Sequence, residues 1–292
     1  MAVDGPHDDY AADYVVRGAE AGDSQVGSAR RDVAAEERDR SACYDDLRAH
    51  DVSEQRAHPD GPERTADGGW RWKGYELGPE ANRIADAAIT ARRQAEGRDL
   101  EGNYAETGIT PVMRRIEAEL EHGSLVPDTE KFALKSPDRF KEKLAKMVTR
   151  FPDQDPRDLA SAIHDGIRYT YLLPDEHYTA GVAEISQKLS DQGYDLRVRK
   201  PSWDTDDYRG VNTRWTSPTY DVQFEVQFHT AESWEAKQKT HDIYERLCDG
   251  RASPLERAHL EHEQRQVVTA VPVPPGALDI TYYAKGSHDN RG

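Results

Sequence analysis

The sequence predicts an α/β (α+β) fold in which helices flank a mixed β-sheet. Apolar and polar residues alternate along residues 220–229, as in a strand that buries one face. Apolar residues recur at helical spacing in residues 111–122 and again in residues 137–148. Strand-like and helix-like segments then follow one another as far as residue 247. This order is typical of a mixed sheet covered by helices.

Start and stop residues place the individual helices. Ser136 and Asp155 each precede a proline, the arrangement of an N-cap followed by proline in the first helical turn. Gly123 ends the helix before them, and Thr230 caps a later one. We expect helices at residues 79–96, 111–122, 137–148, 156–163, 175–190, 231–247 and 254–266.

The predicted strands lie between these helices. Residues 163–173 are rich in residues that favour strands, and a further strand is predicted at residues 194–199. Residues 211–216 and 220–229 are expected to form an antiparallel pair around Ser217-Pro218.

The two ends of the chain differ in composition from its middle. The 292 residues are 36% hydrophobic and carry a net charge of -16, which indicates that part of the chain lies outside any packed core. Residues 1–75 are predicted to be an acidic extension, disordered or loosely helical, with a regulatory or partner-binding tail as the alternative. The folded domain is predicted at residues 76–266 and a tail at 267–292. A short anchor onto the folded part is expected at Trp70, Trp72 and Tyr75.

Composition also excludes several classes of protein. Cys43 and Cys248 form no closely spaced pair, so no disulfide framework or cysteine metal cluster is expected. The amino terminus has no signal-peptide pattern and no apolar stretch approaches ~18 residues, so we expect a cytoplasmic protein without a membrane span. The net charge opposes binding of nucleic acid in general. The acidity lies mostly outside residues 131–248, which leaves room for a local basic pocket.

The strand at residues 220–229 carries the first candidate site residue. Its polar face holds Glu225 together with Gln227 and His229. A carboxylate in this setting can bind a metal or polarise a hydroxyl group. The alternative is an amphipathic strand with one face in water.

Two clusters before that strand could bind phosphate and metal. Lys135 and Ser136 stand at a helix start with Lys143 on the same helix, which would cradle phosphate unless the lysines are simply solvated. Asp165 is predicted inside the strand at residues 163–173, where Mg²⁺ or Arg168 would serve as its partner. The alternative for Asp165 is an exposed position at the start of the strand.

An aromatic and basic motif follows at Tyr208-Arg209-Gly210, with Asn212 beyond it. Tyr208 could stack on a base and Arg209 could pair with phosphate. The alternative is a turn tyrosine that covers the core. The histidines of the carboxyl-terminal helices are expected to be solvated rather than metal ligands: His241, His259 and His262.

The order of these motifs resembles the synthetase domain of the RelA/SpoT family. Lys-Ser-Pro opens a helix, Asp-x-x-Arg lies on a strand, Tyr-Arg-Gly-x-Asn follows, and Glu-x-Gln-x-His-Thr opens another helix. The similarity covers roughly residues 110–248. The segment at residues 225–237 looks most like the divergent actinobacterial and toxin-associated branch of the family.

The resemblance implies a nucleotidyltransferase-like fold and a Mg²⁺-dependent transfer of pyrophosphate. The donor would be ATP and the acceptor the 3′-hydroxyl of a purine nucleotide, giving alarmones such as (p)ppGpp or (p)ppApp. It implies that Asp165 and Glu225 hold Mg²⁺, that Glu225 helps to activate the hydroxyl and that Tyr208 stacks on the acceptor base. The remaining residues implied to bind substrate are Lys135, Ser136, Lys143, Arg168, Arg209, Asn212, Gln227 and His229.

The chain departs from the family pattern at several positions. Ala133 stands where the family usually has an arginine, Asp207 where it has glycine and Asn212 where it has histidine, and Asp165 is three residues before Arg168 rather than five. The amino-terminal half shows no hydrolase signature, so synthesis without hydrolysis is expected. Two alternatives stay open. One is a growth-arresting toxin, paired with an antitoxin, that depletes ATP or pyrophosphorylates the 3′ end of tRNA. The other is an inactive nucleotide-binding domain.

Overall fold

A computed structural model of the chain describes residues 61–98, 108–248 and 252–285. Most of the predicted acidic extension, including Cys43, lies outside these residues. The described residues belong to two compact units, one of residues 61–239 and 264–285 and one of residues 240–263. None of the helices in the described part of the chain is both long enough and apolar enough to cross a bilayer.

The described residues contain helices and strands in alternation, and the predicted α/β (α+β) class is confirmed. The helices are α1 (Pro79–Glu96), α2 (Ile109–Ala118), α3 (Thr129–Phe132), α4 (Pro137–Arg150), α5 (Pro156–Ala162), α6 (Tyr178–Asp191), α7 (Ala231–Lys239), α8 (His241–Cys248) and α9 (Pro254–Thr269). The strands are β1 (Glu63–Arg64), β2 (Trp70–Trp72), β3 (Tyr75–Leu77), β4 (Ser124–Leu125), β5 (Arg168–Leu172), β6 (Asp195–Pro201), β7 (Val211–Ser217), β8 (Val222–His229) and β9 (Tyr283–Ala284).

The larger unit is built on a six-stranded sheet in the order β4-β5-β8-β7-β6-β9. The strands β5 and β8 are parallel, while every other neighbouring pair in the sheet is antiparallel. The pair β7 and β8 forms the predicted hairpin, with Asp221 in the left-handed conformation at its turn. The central strand β8 therefore lies between β5 and β7 for most of its length.

One face of this sheet forms the main hydrophobic core. It carries large buried side chains such as Tyr171, Trp215 and Phe228, and α2 and α6 pack on it with their apolar faces. The buried tyrosines satisfy their hydroxyl groups within this core. Tyr171 donates to the carbonyl of Met113 at 2.9 Å and Tyr178 donates to that of Phe228 at 2.8 Å. These bonds fix both helices relative to β5 and β8, because a buried hydroxyl without a partner is costly.

A second cluster of buried residues joins α1, α4 and α5 to the small antiparallel sheet of β1, β2 and β3. Phe140 and Leu144 of α4 are buried there. The indole of Trp70 is also buried and donates to Asp138 at 3.1 Å, as expected of the predicted anchor. The predicted domain boundaries at residues 75 and 266 stay predictions.

The predicted helix bounds agree best where local signals are strong. The helix α1 has the bounds predicted for it, and Ser136 caps α4 by accepting the backbone N–H of Arg139. The predicted single helix at residues 231–247 is wrong, because α7 ends at Lys239 and α8 begins at His241. Thr240 lies at the N-cap position of α8, where its carbonyl accepts the N–H of Tyr244 at 2.9 Å.

The predicted strand at residues 163–173 is wrong at its start. The strand β5 begins only at Arg168, and His164–Gly166 forms a 3-10 turn, so Asp165 precedes the strand instead of lying in it. The cause is Arg92 of α1. Its buried guanidinium donates to the carbonyls of Ala160 and Ile163 at 2.8 and 2.9 Å, which ends α5 and holds the chain in the turn.

Arg92 provides a test of how this turn is held. Its burial lowers its pKa to about 10, and its guanidinium lies 4.7 Å from the ring centre of Phe140. We expect Arg92→Ala to lower the free energy of unfolding by about 3 kcal/mol, because buried carbonyls lose charge-assisted hydrogen bonds. Urea denaturation would measure this, with Arg93→Ala as the matched control on the exposed side of the same helix. Equal effects of the two substitutions would contradict the assignment.

Candidate active site

The face of the sheet opposite the main core is polar. Because residues paired across neighbouring strands point to the same face, the register defines two polar rows. The first row runs from β5 through β8 to β7 and consists of Arg168, Glu225 and Arg214. The second row continues to β6 and consists of Thr170, Gln227, Asn212 and Lys200.

This polar face is buried where β8 crosses it. Glu225 and Gln227 expose only 7% and 4% of their surface, and His229 exposes none. The alternative in which this face of β8 lies in water is therefore wrong. The turn His164–Gly166 and the helices α5 and α7 pack against β8 and cover the face. Buried polar side chains of this kind require partners, and they have them here.

Asp165 forms ion pairs with two lysines. Its carboxylate lies 3.2 Å from Nζ of Lys135 and 2.9 Å from Nζ of Lys143. Burial alone would raise the pKa of Asp165, but Lys135, Lys143 and Arg168 together hold it well below its usual range. Asp165 is therefore ionised at neutral pH. Its predicted partner Arg168 acts on it through its charge, while Lys135 and Lys143 form the ion pairs.

Lys135 and Ser136 occupy the start of α4, as predicted. The backbone N–H of Lys135 donates to the carbonyl of Gly166 at 3.1 Å, which places the lysine beside the Asp165 turn. Burial lowers the pKa of Lys135 in spite of its ion pair with Asp165. Ser136 uses its side chain to cap α4. Direct contact of Ser136 with a substrate stays a prediction.

Glu225 is the second ionised carboxylate of the site. The side-chain amide of Gln227 donates to it, and Nε2 of His164 lies 3.4 Å from its other oxygen. Burial raises the pKa of Glu225, but His164 and Arg168 outweigh burial and keep it below its usual range. Asp165 raises the pKa of Glu225, because the two negative charges repel each other.

Two residues of this group were not assigned a role from the sequence. His164 contacts Glu225 and also lies 3.5 Å from the guanidinium of Arg214. The alternation of β7 places Arg214 on the same face as Asn212, and this spacing was the signal that could have identified it.

Tyr208 is fixed by a hydrogen-bonded chain of side chains. Its hydroxyl donates to Oδ1 of Asn212 at 2.7 Å and lies 2.8 Å from Nε2 of His229. Nδ1 of His229 in turn lies 2.9 Å from the hydroxyl of Ser233, next to the N-cap Thr230 of α7. Burial lowers the pKa of His229 well below its usual range, so this imidazole is neutral. The alternative of a simple turn tyrosine does not account for this network.

Arg209 and Gly210 shape the loop that precedes β7. Gly210 has a φ of 154°, and a Cβ atom there would lie 3.0 Å from both the His229 ring and the Phe228 carbonyl. Only glycine fits this close approach without displacing those groups. Among the described residues, Nε and Nη1 of Arg209 are buried without a hydrogen-bond partner. An anionic ligand would satisfy them.

The side chains of the site can be compared with those that usually bind Mg²⁺, the predicted metal ion. Within the described ranges, no group of three or more His, Cys, Asp or Glu side chains is arranged to hold a metal. Mg²⁺ commonly binds through one or two carboxylates together with substrate phosphates, and the ionised Asp165 and Glu225 provide such a pair. The residues therefore fit a Mg²⁺ ion that arrives with a phosphorylated substrate.

The fold and the site together define a class of mixed-sheet α/β protein with two ionised carboxylates among clustered cations.

No protein-family model matches the chain, and no curated protein matches its sequence. Several solved structures are similar to 64% of the chain, among them the complex of the Type VI effector Tas1 with its immunity protein, with 17% identity, 96% of that chain covered and a TM-score of 0.41.

Two further structures show similarity of the same extent. The small alarmone synthetase 1 from Bacillus subtilis, bound to its product pppGpp, matches with 10% identity and a TM-score of 0.41, over 64% of this chain and 93% of that one. The protein smu.1046c from Streptococcus mutans UA159 matches with 12% identity and a TM-score of 0.40, over 64% and 90%.

The ion pairs of Asp165 predict a dependence of stability on pH. Because the pKa of Asp165 lies below its value of about 3.9 in an unfolded chain, its stabilising effect is complete above that pH and is lost as the pH falls. We expect Asp165→Asn to lower the free energy of unfolding by about 2–3 kcal/mol at pH 7. The difference from wild type should shrink below pH 4 by up to about 1.4 kcal/mol per pH unit.

Urea denaturation at pH 7, 4 and 3 would measure this difference. Asp153→Asn is the matched control, since Asp153 is exposed. A difference between wild type and Asp165→Asn that stays constant from pH 7 to pH 3 would show that the ion pairs do not contribute as described.

Proposed function

We propose that the protein transfers pyrophosphate from ATP to the 3′-hydroxyl of a purine nucleotide, making alarmones of the (p)ppGpp or (p)ppApp type. The observation that carries this proposal is the pair of ionised carboxylates, Asp165 beside β5 and Glu225 on β8, on one buried polar face with cations on both sides. The motif order that resembles the RelA/SpoT synthetase domain implies metal-binding roles for the same two residues, which supports the proposal.

The cations beside Asp165 are suited to the triphosphate of the donor. Lys135, Lys143 and Arg168 surround this carboxylate at the start of α4, whose N-terminal N–H groups add a partial positive charge. Asp165 and Glu225 would hold Mg²⁺, which neutralises phosphate charge and the charge that builds on the leaving group. When phosphates enter, Lys135 and Lys143 can pair with phosphate oxygens while they keep their ion pairs with Asp165.

In this proposal, Glu225 accepts the proton of the attacking hydroxyl. The 3′-oxygen forms a bond to the β-phosphorus of ATP, the bond from that phosphorus to the α–β bridging oxygen breaks, and AMP leaves. The proton of the 3′-hydroxyl passes to the Glu225 carboxylate as the new bond forms. Gln227 and His164 contact different oxygens of this carboxylate and so fix its orientation. Alignment of the two substrates supplies much of the remaining acceleration.

Tyr208 is suited to hold the acceptor base. Tyr208 is partly exposed while its hydroxyl is bound to Asn212 and His229, so the ring has a fixed orientation before any substrate binds. A preoriented aromatic ring favours stacking, because less conformational freedom is lost on binding. Neutral His229 contributes no charge near the base.

The reaction itself gives the direct test. The wild-type protein, ATP and Mg²⁺ would be incubated with GDP, GTP, ADP, AMP or tRNA in turn, and the products identified by mass spectrometry. We expect AMP and a 3′-pyrophosphorylated purine nucleotide. Pyrophosphorylation of tRNA alone would favour the toxin alternative. Absence of product with every acceptor would contradict the proposal.

Glu225→Gln tests the role of the carboxylate. We expect a loss of about 10²–10⁴-fold in kcat, because the amide cannot accept the hydroxyl proton. Glu176→Gln is the control, since Glu176 is exposed and lies outside the polar face. Equal turnover by wild type and Glu225→Gln would show that Glu225 is not the base.

Tyr208 substitutions separate stacking from hydrogen bonding. We expect Tyr208→Ala to raise the KM for the acceptor nucleotide by about 10–100-fold, as for loss of one stacked base, with the KM for ATP unchanged. Tyr208→Phe keeps the ring and should have a much smaller effect. Steady-state kinetics with each substrate varied would measure both, and a similar loss in both variants would assign the effect to the hydroxyl instead.

A further inference from the structure

Arg214 lies at the centre of the polar face and has no role in the function as proposed so far. It is the residue of β7 that pairs directly with Glu225 of β8, so the two side chains share one face of the sheet. Arg168 of β5 pairs with Glu225 from the other side. The carboxylate of Glu225 therefore lies between two arginines in one row across three strands.

The guanidinium of Arg214 is incompletely satisfied within the described part of the chain. Its Nη2 lies 3.5 Å from Nε2 of His164, and its Nε is buried without a hydrogen-bond partner. The described residues provide no ion pair to it within 4.0 Å. A half-buried guanidinium without an anion is costly, and such groups commonly receive a carboxylate or a phosphate from a ligand.

The two sides of Glu225 differ in how their cations are neutralised. On the β5 side, Arg168 lies with Lys135 and Lys143 around Asp165, which balances part of their charge. On the β7 side, Arg214 has no carboxylate within 4.0 Å among the described residues, and the negative charges that act on it are those of Glu225 and Asp165. Lys200 adds a further cation in the next row, opposite Asn212. The β7 side is thus able to bind an anion separate from the donor triphosphate.

The position of Asn212 indicates which substrate brings that anion. Asn212 and Arg214 are two residues apart on the same face of β7, a separation of roughly 7 Å. Asn212 binds the hydroxyl of Tyr208, the proposed stacking residue for the acceptor base. A single nucleotide can reach both points, with its base at Tyr208 and a phosphate near Arg214.

We propose that Arg214 binds the 5′-phosphate of the acceptor nucleotide and so selects 5′-phosphorylated acceptors over nucleosides. This inference rests on the proposed function for the assignment of the acceptor side. A guanidinium at this position can form two parallel hydrogen bonds to a phosphate, one of them from the buried Nε. The same contact places the ribose of the acceptor close to Glu225, the partner of Arg214 across the strands.

Binding measured without turnover tests the inference. Isothermal titration calorimetry would compare wild type, Arg214→Gln and Arg214→Lys with GDP, ADP, guanosine and adenosine, and separately with ATP. Arg199→Gln is the matched control, because Arg199 lies on the neighbouring strand, points to the opposite face and donates to the carbonyl of Thr281. Thermal unfolding of each variant would verify that it folds.

We expect Arg214→Gln to weaken binding of GDP or ADP by about 10–100-fold, the loss of one or two charge-assisted hydrogen bonds. Binding of the matching nucleoside and of ATP should change less than about twofold, and Arg214→Lys should retain part of the affinity. An equal loss for nucleoside and nucleotide, or no loss for either, would overturn the proposal. A loss confined to ATP would place Arg214 on the donor phosphates and overturn the assignment to the acceptor.

The same titrations, combined with the turnover assay described for the proposed function, separate this inference from that function. If wild type makes no pyrophosphorylated product but Arg214→Gln still loses nucleotide affinity selectively, the phosphate site stands and the reaction fails. If wild type makes product and Arg214→Gln binds and turns over every nucleotide acceptor as wild type does, the reaction stands and the phosphate site fails.

Discussion

The balance of charge on one buried sheet face is the constraint on which the rest of the site depends. Asp165 and Glu225 are ionised in positions where burial opposes their charge, and they stay so because cations surround them. Neither carboxylate could be kept in place by a single surface ion pair, which contributes little in water. The site is a network in which each buried charge offsets the cost of burying the opposite charges beside it. The fold therefore has to bring all of these charged side chains together.

The fold supplies them through one parallel strand pair and one buried arginine. Because β5 and β8 are parallel neighbours, the turn that precedes β5 lies over the polar face of β8. Arg92 of α1 fixes that turn through the carbonyls of Ala160 and Ile163. Arg92, whose guanidinium packs against Phe140 of the second hydrophobic cluster, therefore determines where Asp165 lies, although it contacts no substrate in the proposed reaction. Packing and chemistry are connected at this point.

Local signals in the sequence were sufficient for much of the fold and part of the site. The Ser136 cap, the bounds of α1 and the face of β8 that carries Glu225 all follow from residues close together in the chain. The burial of that face could not be predicted, because the turn at His164–Gly166 that covers it comes from a distant segment held by Arg92. Arg214 was missed for a related reason, because its spacing from Asn212 shows which face of the strand it shares but not that this face is buried. His164 was missed because its contact with Glu225 joins segments far apart in the chain.

The contrast between the whole chain and the polar face has a consequence for which anions can enter. The chain carries a net charge of -16, whereas the polar face concentrates arginine and lysine around two carboxylates. Repulsion from scattered acidic groups is summed along the length of a polyanion, while a mononucleotide experiences mainly the nearest charges within a screening length of about 8 Å. For the reaction proposed above, this distribution of charge therefore favours small phosphate esters over extended polymers.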